Sequence, residues 1–255
     1  MNNFVTVKTA GGLGNILFQV ATGYSYAKRT NRDFILYDIL NITSNHEHMS
    51  SYYNNLFKNI SRNSQSPSLL SPFFNTVNIY REPSFQYNTI PIIDGNVLLE
   101  GYYQSEKYFH DYRQELFELF DIPQNSQSVK TCSIHIRRGD YLQKANFHPV
   151  LDMDYYNKAM DIVDADKYII FSDDINWCFE HFKGSQFDFS NYTSTYQDLI
   201  LMSNCADNII ANSSFSWWGA WLNRNINKRV VAPAKWFGRL GPSQHDLYVS
   251  DWIII

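Results

Sequence analysis

The chain opens with alternating hydrophobic and polar positions from Phe4 to Thr9, a pattern typical of a β-strand. A glycine-rich turn follows, and apolar residues then recur at helical spacing from Ile16 to Ala27, with Asn15 as the predicted N-cap. A second strand is predicted at Asp33 to Tyr37. The pattern therefore predicts that the chain begins with a strand, a glycine loop, a helix and another strand.

The alternation of hydrophobic and polar residues is weaker in the rest of the first half. Residues 41–80 are polar and rich in Asn and Ser, and they predict irregular or helical insertions with a surface loop at 63–72. Residues 97–103 predict a strand, and residues 106–120 predict a helix capped by Ser105.

A short polar segment broken by proline, residues 122–127, is the best candidate for a domain boundary. We predict an N-terminal domain of residues 1–125 and a C-terminal domain of residues 126–255. After the boundary strands alternate with helices, with strands predicted at 132–136, 167–171, 207–211 and 229–232 and helices at 153–163, 195–204 and 215–224. Such alternation predicts an α/β fold with a doubly wound parallel sheet, in which ligands bind at the carboxyl ends of strands.

Composition narrows the class of protein. Of the 255 residues 44% are hydrophobic and 18% charged, which suffices for a buried core. The formal net charge is -4 without a Lys/Arg-rich run, so no nucleic-acid partner is expected. No run of about 18 apolar residues predicts a membrane span, although peripheral membrane association stays open. The polar start predicts no signal peptide, and three widely spaced cysteines, Cys132, Cys178 and Cys205, predict reduced thiols in a cytoplasmic setting.

The sharpest chemical signal is the segment from Ser133 to Tyr141, which reads SIHIRRGDY. An alternating strand would place His135 and Arg137 on one face and end in a charged turn. Two adjacent arginines at a strand end are costly unless an anion pairs with them, and a guanidinium grips a diphosphate through bidentate hydrogen bonds. A structural ion pair, for instance Arg138 with Asp140, is the alternative. We expect both, with Arg137 facing a ligand and Arg138 holding the structure.

The second signal lies between Asn208 and Trp221, where an apolar strand runs into small polar residues and a tryptophan-bearing helix. Asn212, Ser213 and Ser214 would lie at the helix N-terminus, where backbone N–H groups and the helix dipole favour an anion. Ordinary capping explains one such residue but not a run of three beside a strand end. We expect the tryptophans to pack in the core.

The third signal is Asp173 and Asp174, which follow the strand predicted at 167–171. Paired carboxylates there could hold a divalent cation, accept hydrogen bonds from a ribose or a guanine edge, or cap a helix at 176–182. Because Arg137 is available to neutralise phosphate, we predict that no metal is required.

Together these segments resemble the α-1,2-fucosyltransferase family, in the same order and over nearly the whole chain. The resemblance is carried by HIRRGDY at 135–141, FSDD at 171–174 and NSSFSWWGAW at 212–221, with GGLGN at 11–15 and GYYQSEKYF at 101–109 in the first half. One position departs from it, since Ile16 stands where the family usually has Gln. The resemblance implies an α/β fold of the GT-B type, in which two Rossmann-like domains face each other across a cleft. The C-terminal domain would hold GDP-fucose, and the N-terminal domain would lie on the acceptor side.

The resemblance also implies roles for single residues. Arg137 would bind the β-phosphate with support from His135, and the start of the tryptophan-bearing helix would offer backbone and hydroxyl groups to the diphosphate. Asp173 or Asp198 would bind the guanine or the ribose, and Asn15 would reach across the cleft. The full set of predicted donor-binding residues is His135, Arg137, Asp173, Asp198, Asn212, Ser213, Ser214, Phe215, Asn15 and Gly14.

The implied reaction is a metal-independent single displacement with inversion, in which an acceptor hydroxyl, expected to be O2 of a galactose in a glycan, attacks the anomeric carbon of GDP-β-L-fucose. Arg137 would stabilise the departing GDP, and Asp140 and Glu106 are both candidates for the general base. Another nucleotide deoxyhexose, another linkage, or a noncatalytic GDP-sugar-binding protein are the alternatives. The glycine loop lacks the lysine of a GxxxxGK[ST] phosphate loop and the last glycine of a GxGxxG loop, which argues against an NTPase and a dinucleotide oxidoreductase.

Overall fold

The structure is a computed structural model that describes residues 3–42, 49–64, 76–124, 130–191 and 194–255. The chain divides into two compact units, the first made of Met1–Ile122 with His245–Leu247 and the second of Pro123–Gln244 with Tyr248–Ile255. The boundary predicted between residues 125 and 126 lies outside the described residues. The return of a short C-terminal segment to the first unit is not predicted by the sequence pattern.

The first unit contains two α-helices and seven strands among the residues that the structure describes. The helices are α1 (Leu13–Arg29) and α2 (Arg113–Phe120). The strands are β1 (Phe4–Val7), β2 (Thr9–Ala10), β3 (Asp33–Tyr37), β4 (Asn41–Ile42), β5 (Ser61–Asn63), β6 (Val77–Arg81) and β7 (Asn96–Glu100). Five of them form a parallel sheet in the order β5-β3-β1-β7-β6, and β2 pairs with β4 in a separate parallel ladder.

Two helix boundaries differ from the predictions. Helix α1 begins at Leu13 with Gly12 as its N-cap, so Asn15 lies inside the first turn and does not cap the helix. The predicted helix 106–120 is broken into two 3₁₀ turns followed by α2, because Phe109 has φ -146° and is buried against Phe18 at 6.0 Å. Ser105 caps only the first of these turns, where its hydroxyl accepts a hydrogen bond from the Lys107 backbone N–H.

The second unit follows the predicted alternation of strands and helices. Its described strands are β8 (Thr131–Ile136), β9 (Lys167–Ser172), β10 (Phe187–Phe189), β11 (Asp207–Ile209), β12 (Val230–Ala232) and β13 (Ile253–Ile254). Its described helices are α3 (Met153–Val163), α4 (Ile175–His181), α5 (Thr195–Ser203) and α6 (Ser214–Trp221). All six strands are parallel, in the order β10-β9-β8-β11-β12-β13.

Counted from β8, this strand order is 3-2-1-4-5-6, the order of a doubly wound Rossmann sheet. The chain lays β9 and β10 on one side of β8 and then crosses to place β11 on the other side. The order therefore reverses between β8 and β11, and such a reversal opens a crevice beyond the carboxyl ends of the two strands. The α/β class predicted for the chain is confirmed in both units.

Aromatic packing holds this sheet in place. Trp217, Trp218 and Trp221 of α6 are fully buried, and Trp217 contacts Trp252 with ring centroids 5.4 Å apart. The expectation that these tryptophans belong to the core is confirmed. The three cysteines are buried free thiols, and no helix in the described part of the chain is long and apolar enough to cross a membrane.

Candidate functional site

The point of reversal in the second sheet brings the first two sequence motifs together. Ile134 of β8 is paired with Ile209 of β11, so the segments that follow both strands emerge side by side. Arg137 follows β8, and the polar run from Asn212 to Ser214 follows β11 and leads into α6. A guanidinium and a helix N-terminus therefore lie at the same edge of the sheet, where ligands bind in doubly wound folds.

Arg137 is held by two carboxylates. Its guanidinium donates to Asp140 and to Asp173, each at 2.5 Å, and it lies over the Tyr141 ring at 5.0 Å from the ring centroid. The pairing of Ile136 with Ser172 in the sheet explains the contact with Asp173, since it sets residue 173 beside residue 137. The expected pair of Arg138 with Asp140 is wrong, because the turn after β8 directs Asp140 toward Arg137.

Gly139 makes room for this arrangement. A Cβ atom at residue 139 would lie 2.6 Å from Asp173 Oδ2, closer than real Cβ atoms approach. The glycine of the RRGD sequence thus lets the Asp173 carboxylate pack against the turn, where it also accepts a hydrogen bond from the Arg138 backbone N–H at 2.9 Å.

Arg138 has the structural role that the sequence predicts, with a different partner. Its Nε donates to Asp174 at 3.1 Å, and its guanidinium stacks over the Trp177 ring at 4.1 Å from the centroid. Asp174 in turn caps α4 through the Trp177 backbone N–H, so the predicted capping role of this pair of aspartates is confirmed for Asp174.

Asp140 carries a lowered pKa. Burial alone would raise the pKa of its carboxyl, but the hydrogen bond from Lys144 and the positive charges of Arg137 and Lys144 outweigh that effect. The Lys144 ammonium lies 3.1 Å from the second Asp140 oxygen. A carboxylate held in this way is a weak base.

His135 is buried and neutral. Its Nδ1 lies 2.9 Å from the Ser216 hydroxyl of α6, and its ring meets the edge of Phe215 at 5.8 Å. Burial, and to a lesser degree the Arg137 charge, lowers the pKa of His135 to about 3. The imidazole therefore joins β8 to the first turn of α6 without adding charge.

Ser213 and Ser214 lie at the start of α6, as the sequence predicts. Ser213 is the N-cap, and its hydroxyl accepts from the Phe215 backbone N–H at 3.3 Å. Ser214 and Phe215 are partly exposed in the first turn. Asn212, in contrast, is buried, and its amide group donates to the carbonyls of Pro149 and Trp236.

Residues that the sequence interpretation missed complete this edge. Tyr141 donates to the Asn212 carbonyl at 3.1 Å and stacks on His148 with centroids 4.4 Å apart and an interplanar angle of 10°. Among the described residues, Asn212 Oδ1 and His148 Nδ1 are buried without a hydrogen-bond partner. Ser216 and Tyr141 lie within the two motifs, but their contacts with His135 and Asn212 join separate elements and leave no local sequence pattern.

Other predicted residues lie elsewhere. Asp198 is in the first turn of α5 and accepts from the Ser190 hydroxyl at 2.5 Å, just past the outer strand β10. Its predicted contact with guanine or ribose therefore stays a prediction without support from the switch point.

Gly14, Asn15 and Glu106 belong to the first unit. Gly14 is buried in α1, and Asn15 accepts from the Gln104 side chain at 2.7 Å. Glu106 lies in a 3₁₀ turn, 3.8 Å from Arg113. The roles predicted for these residues stay predictions.

The second unit therefore presents a charged, hydrogen-bonding edge suited to an anionic ligand. One guanidinium and the backbone N–H groups of a helix N-terminus are the groups available there to contact an anion. In the described residues no three His, Cys, Asp or Glu side chains converge as a metal site would need. The absence of a metal requirement stays a prediction.

Sequence comparisons match the chain to known transferases. The profile of the family described as Glycosyl transferase family 11 matches residues 6–255. An O-antigen biosynthesis glycosyltransferase, WbnK, of Escherichia coli is 30% identical, over 96% of this chain and 98% of the relative. An alpha-1,2-colitosyltransferase of Escherichia coli is 29% identical over 99% of both chains. The human galactoside alpha-(1,2)-fucosyltransferase 1 is 27% identical over 49% of this chain and 42% of its own length.

Proposed function

Since the chain belongs to glycosyl transferase family 11 and is a glycosyltransferase, we propose that it transfers L-fucose from GDP-β-L-fucose to O2 of a galactose in an acceptor glycan. The observation that supports this most strongly is the meeting of Arg137 with the N-terminus of α6 at the strand-order reversal of a Rossmann sheet. That arrangement suits the diphosphate of a nucleotide sugar.

In this proposal the diphosphate exchanges with a carboxylate on Arg137. Asp140 and Asp173 occupy the guanidinium in the structure, and Asp140 has a second cationic partner in Lys144. Asp173 is additionally tied to the Arg138 backbone N–H. Asp140 is therefore the partner that can turn away toward Lys144 while Arg137 takes the β-phosphate.

The transfer forms one bond and breaks one. The acceptor hydroxyl oxygen bonds to the anomeric carbon as the bond from that carbon to the β-phosphate oxygen breaks, which gives an α linkage by inversion. GDP leaves with the bonding electron pair, and the hydroxyl proton passes to a base or to water. Charge grows on the leaving GDP, so donors already aimed at its phosphate stabilise the transition state more than the bound substrate.

Two carboxylates in different units are the candidates for a general base, and a displacement without a dedicated carboxylate is the alternative. Asp140 has a lowered pKa and is engaged by Arg137 and Lys144, which weakens its case as a base. Glu106, in the first unit, is the other candidate and lies near Arg113 at 3.8 Å. Strong assistance to the leaving group would reduce the need for either.

The relative described as an alpha-1,2-colitosyltransferase supports a second candidate donor. In that case the same grip on the diphosphate would serve another nucleotide-activated deoxyhexose.

A donor panel tests the proposal. GDP-fucose, GDP-colitose and GDP-mannose would each be incubated with the protein, a β-galactoside and EDTA, followed by linkage analysis of the product. We expect GDP release and an α-1,2-fucosyl product from GDP-fucose with the chelator present. A product from another donor only, another linkage, or a need for manganese would contradict the proposal.

A further inference from the structure

In the first unit β1 and β7 are neighbouring parallel strands, so the segments that follow them emerge side by side at the carboxyl edge of the sheet. The segments that follow these strands are the glycine loop, which leads into α1, and the segment Gly101–Ser105. The two are joined through Gln19, whose side chain accepts from the Ala10 backbone N–H at 3.0 Å and donates to the Gly101 carbonyl at 3.1 Å. Ligands of open α/β sheets bind outside the carboxyl ends of the strands, and this edge lies there.

One large aromatic side chain stands exposed at this edge. Tyr102 is 45% exposed, and in the described part of the chain no other ring stacks on it. Its neighbour Tyr103 is fully buried and adopts φ +53°, a conformation rare for a side chain of that size. Strained backbone of this kind persists only when the surroundings fix it, and it clusters at ligand sites.

The surroundings that fix it are a carboxylate clamp. Glu82 accepts a hydrogen bond from the Tyr102 backbone N–H at 2.7 Å and from the Tyr103 N–H at 3.1 Å on both oxygens. The clamp needs Gly101, since a Cβ there would lie 2.4 Å from Glu82 Cβ. Below it, the buried Tyr103 ring packs edge-on against Tyr108 at 5.2 Å. The exposed ring is thus carried on a firmly held turn.

We propose that Tyr102 is the platform on which an acceptor sugar stacks, and that Glu82 is the positioning residue that presents it. An exposed tyrosine offers an apolar face to the C–H groups of a pyranose and a polar tip to its hydroxyls. The inference rests on the proposed transfer to a sugar acceptor, and it assigns the acceptor to a surface formed by the first unit.

Acceptor binding tests it without the donor. Saturation-transfer NMR would measure the affinity of a panel of β-galactosides and other simple hexosides for the wild type, Tyr102→Ala, Tyr102→Phe and Glu82→Gln. Ile92→Ala serves as the control, because Ile92 is a 78% exposed apolar side chain of the same unit. GDP affinity and melting temperature would be measured for each variant.

Tyr102→Ala is expected to weaken acceptor binding roughly tenfold, the scale of one lost aromatic stacking contact. Tyr102→Phe should keep most of the affinity. Glu82→Gln should lose part of it, since an amide brings N–H groups against the two backbone donors. GDP affinity should be unchanged in all of them, as in Ile92→Ala.

Three results would overturn the inference. Tyr102→Ala could keep an acceptor affinity within twofold of the wild type, Ile92→Ala could lose as much affinity as Tyr102→Ala, or the wild type could bind no sugar of the panel. Absence of GDP binding by the wild type, with acceptor binding still sensitive to Tyr102, would instead count against the proposed donor alone.

Discussion

At the scale of single residues, the site consists of charged side chains paired around the Arg137 guanidinium. Arg137, Asp140, Asp173 and Lys144 form a chain of ion pairs, so an incoming diphosphate meets a cation that is already occupied. Pairs this close to solvent are individually weak, which allows them to exchange. His135 is kept neutral beside this network by burial.

If the diphosphate replaces Asp140 on Arg137, removal of the Asp140 charge should raise the affinity for GDP. In Asp140→Asn the competing carboxylate becomes a neutral amide, so Arg137 is released toward phosphate, and GDP should bind about twofold to fivefold more tightly. Isothermal titration of GDP measures this, with Asp154→Asn, an exposed aspartate at the start of α3, as the matched control. Weaker GDP binding in Asp140→Asn would show that Asp140 supports the ligand and does not compete with it.

The neutral His135 predicts a dependence of stability on pH. Its pKa is lowered to about 3 by burial and the nearby Arg137, while in the unfolded chain it is about 6.5. Between these values the unfolded state binds the extra proton, so stability falls as the pH is lowered, by up to about 1.4 kcal/mol per pH unit from this residue.

Denaturant unfolding of the wild type and of His135→Gln at pH 7, 6 and 5 would measure this contribution. The variant should show the flatter pH dependence, and the His135 ring signals of the wild type should stay those of neutral imidazole at pH 5. A ring that becomes charged near pH 6 would contradict the burial argument.

At the scale of elements, the strand ends and the turns after them set the chemistry. In the first unit, Gly11 has φ +86°, and a Cβ at this residue would lie 2.4 Å from Asn15 Nδ2. The turn therefore requires glycine for two reasons. Its positive φ suits glycine, and the missing side chain leaves room for Asn15, which accepts a hydrogen bond from Gln104.

A pair of alanine variants separates these two effects. Gly95 also has a positive φ, +73°, but a Cβ at this residue would have its nearest neighbouring atom 3.5 Å away, an ordinary contact. Gly95→Ala should cost about 1–2 kcal/mol from the backbone angle alone, and Gly11→Ala should cost clearly more. Urea unfolding measures both free energies of unfolding. Equal losses would mean that the Asn15 side chain moves aside freely.

The element scale also shows what the sequence can and cannot predict. Regular spacing of hydrophobic residues predicts α3 from Met153 to Val163 and β3 from Asp33 to Tyr37 at their observed bounds. The short strands β5, β10 and β13 are not predicted, because two or three residues carry no readable alternation. The predicted helix at 106–120 is too long because the burial of Phe109 overrides helical propensity.

Some features of the candidate site are likewise predictable from the sequence, and others are not. The motifs at the ends of β8 and β11 lie, as the sequence predicts, in turns at the carboxyl edge of a parallel sheet. Their partners are not predictable, because Asp173 reaches Arg137 through strand register, and Ser216 reaches His135 from another element. Contacts that depend on register or on a helix docking elsewhere leave no local sequence pattern.

At the scale of the whole molecule, the chain combines two α/β units, each built on a parallel sheet, and in the second unit the strand order reverses between β8 and β11. In the second unit this reversal carries Arg137 and the start of α6, and in the first unit the carboxyl edge of β1 and β7 carries the clamped Tyr102. Our two proposals together assign the donor to the edge of the second sheet and the acceptor to the edge of the first.

The central claim is that Arg137 and the start of α6 grip the diphosphate and take up the charge of the leaving GDP. Calorimetric titration of GDP in the presence of EDTA, followed by single-turnover transfer, tests it in the wild type, Arg137→Ala and the exposed control Lys158→Ala. We predict saturable GDP binding by the wild type and the control. Arg137→Ala should bind GDP weakly and lose about 10²–10³-fold or more in rate while keeping its fold. Wild-type protein with no affinity for GDP, or Arg137→Ala with a rate near that of the wild type, would contradict the account.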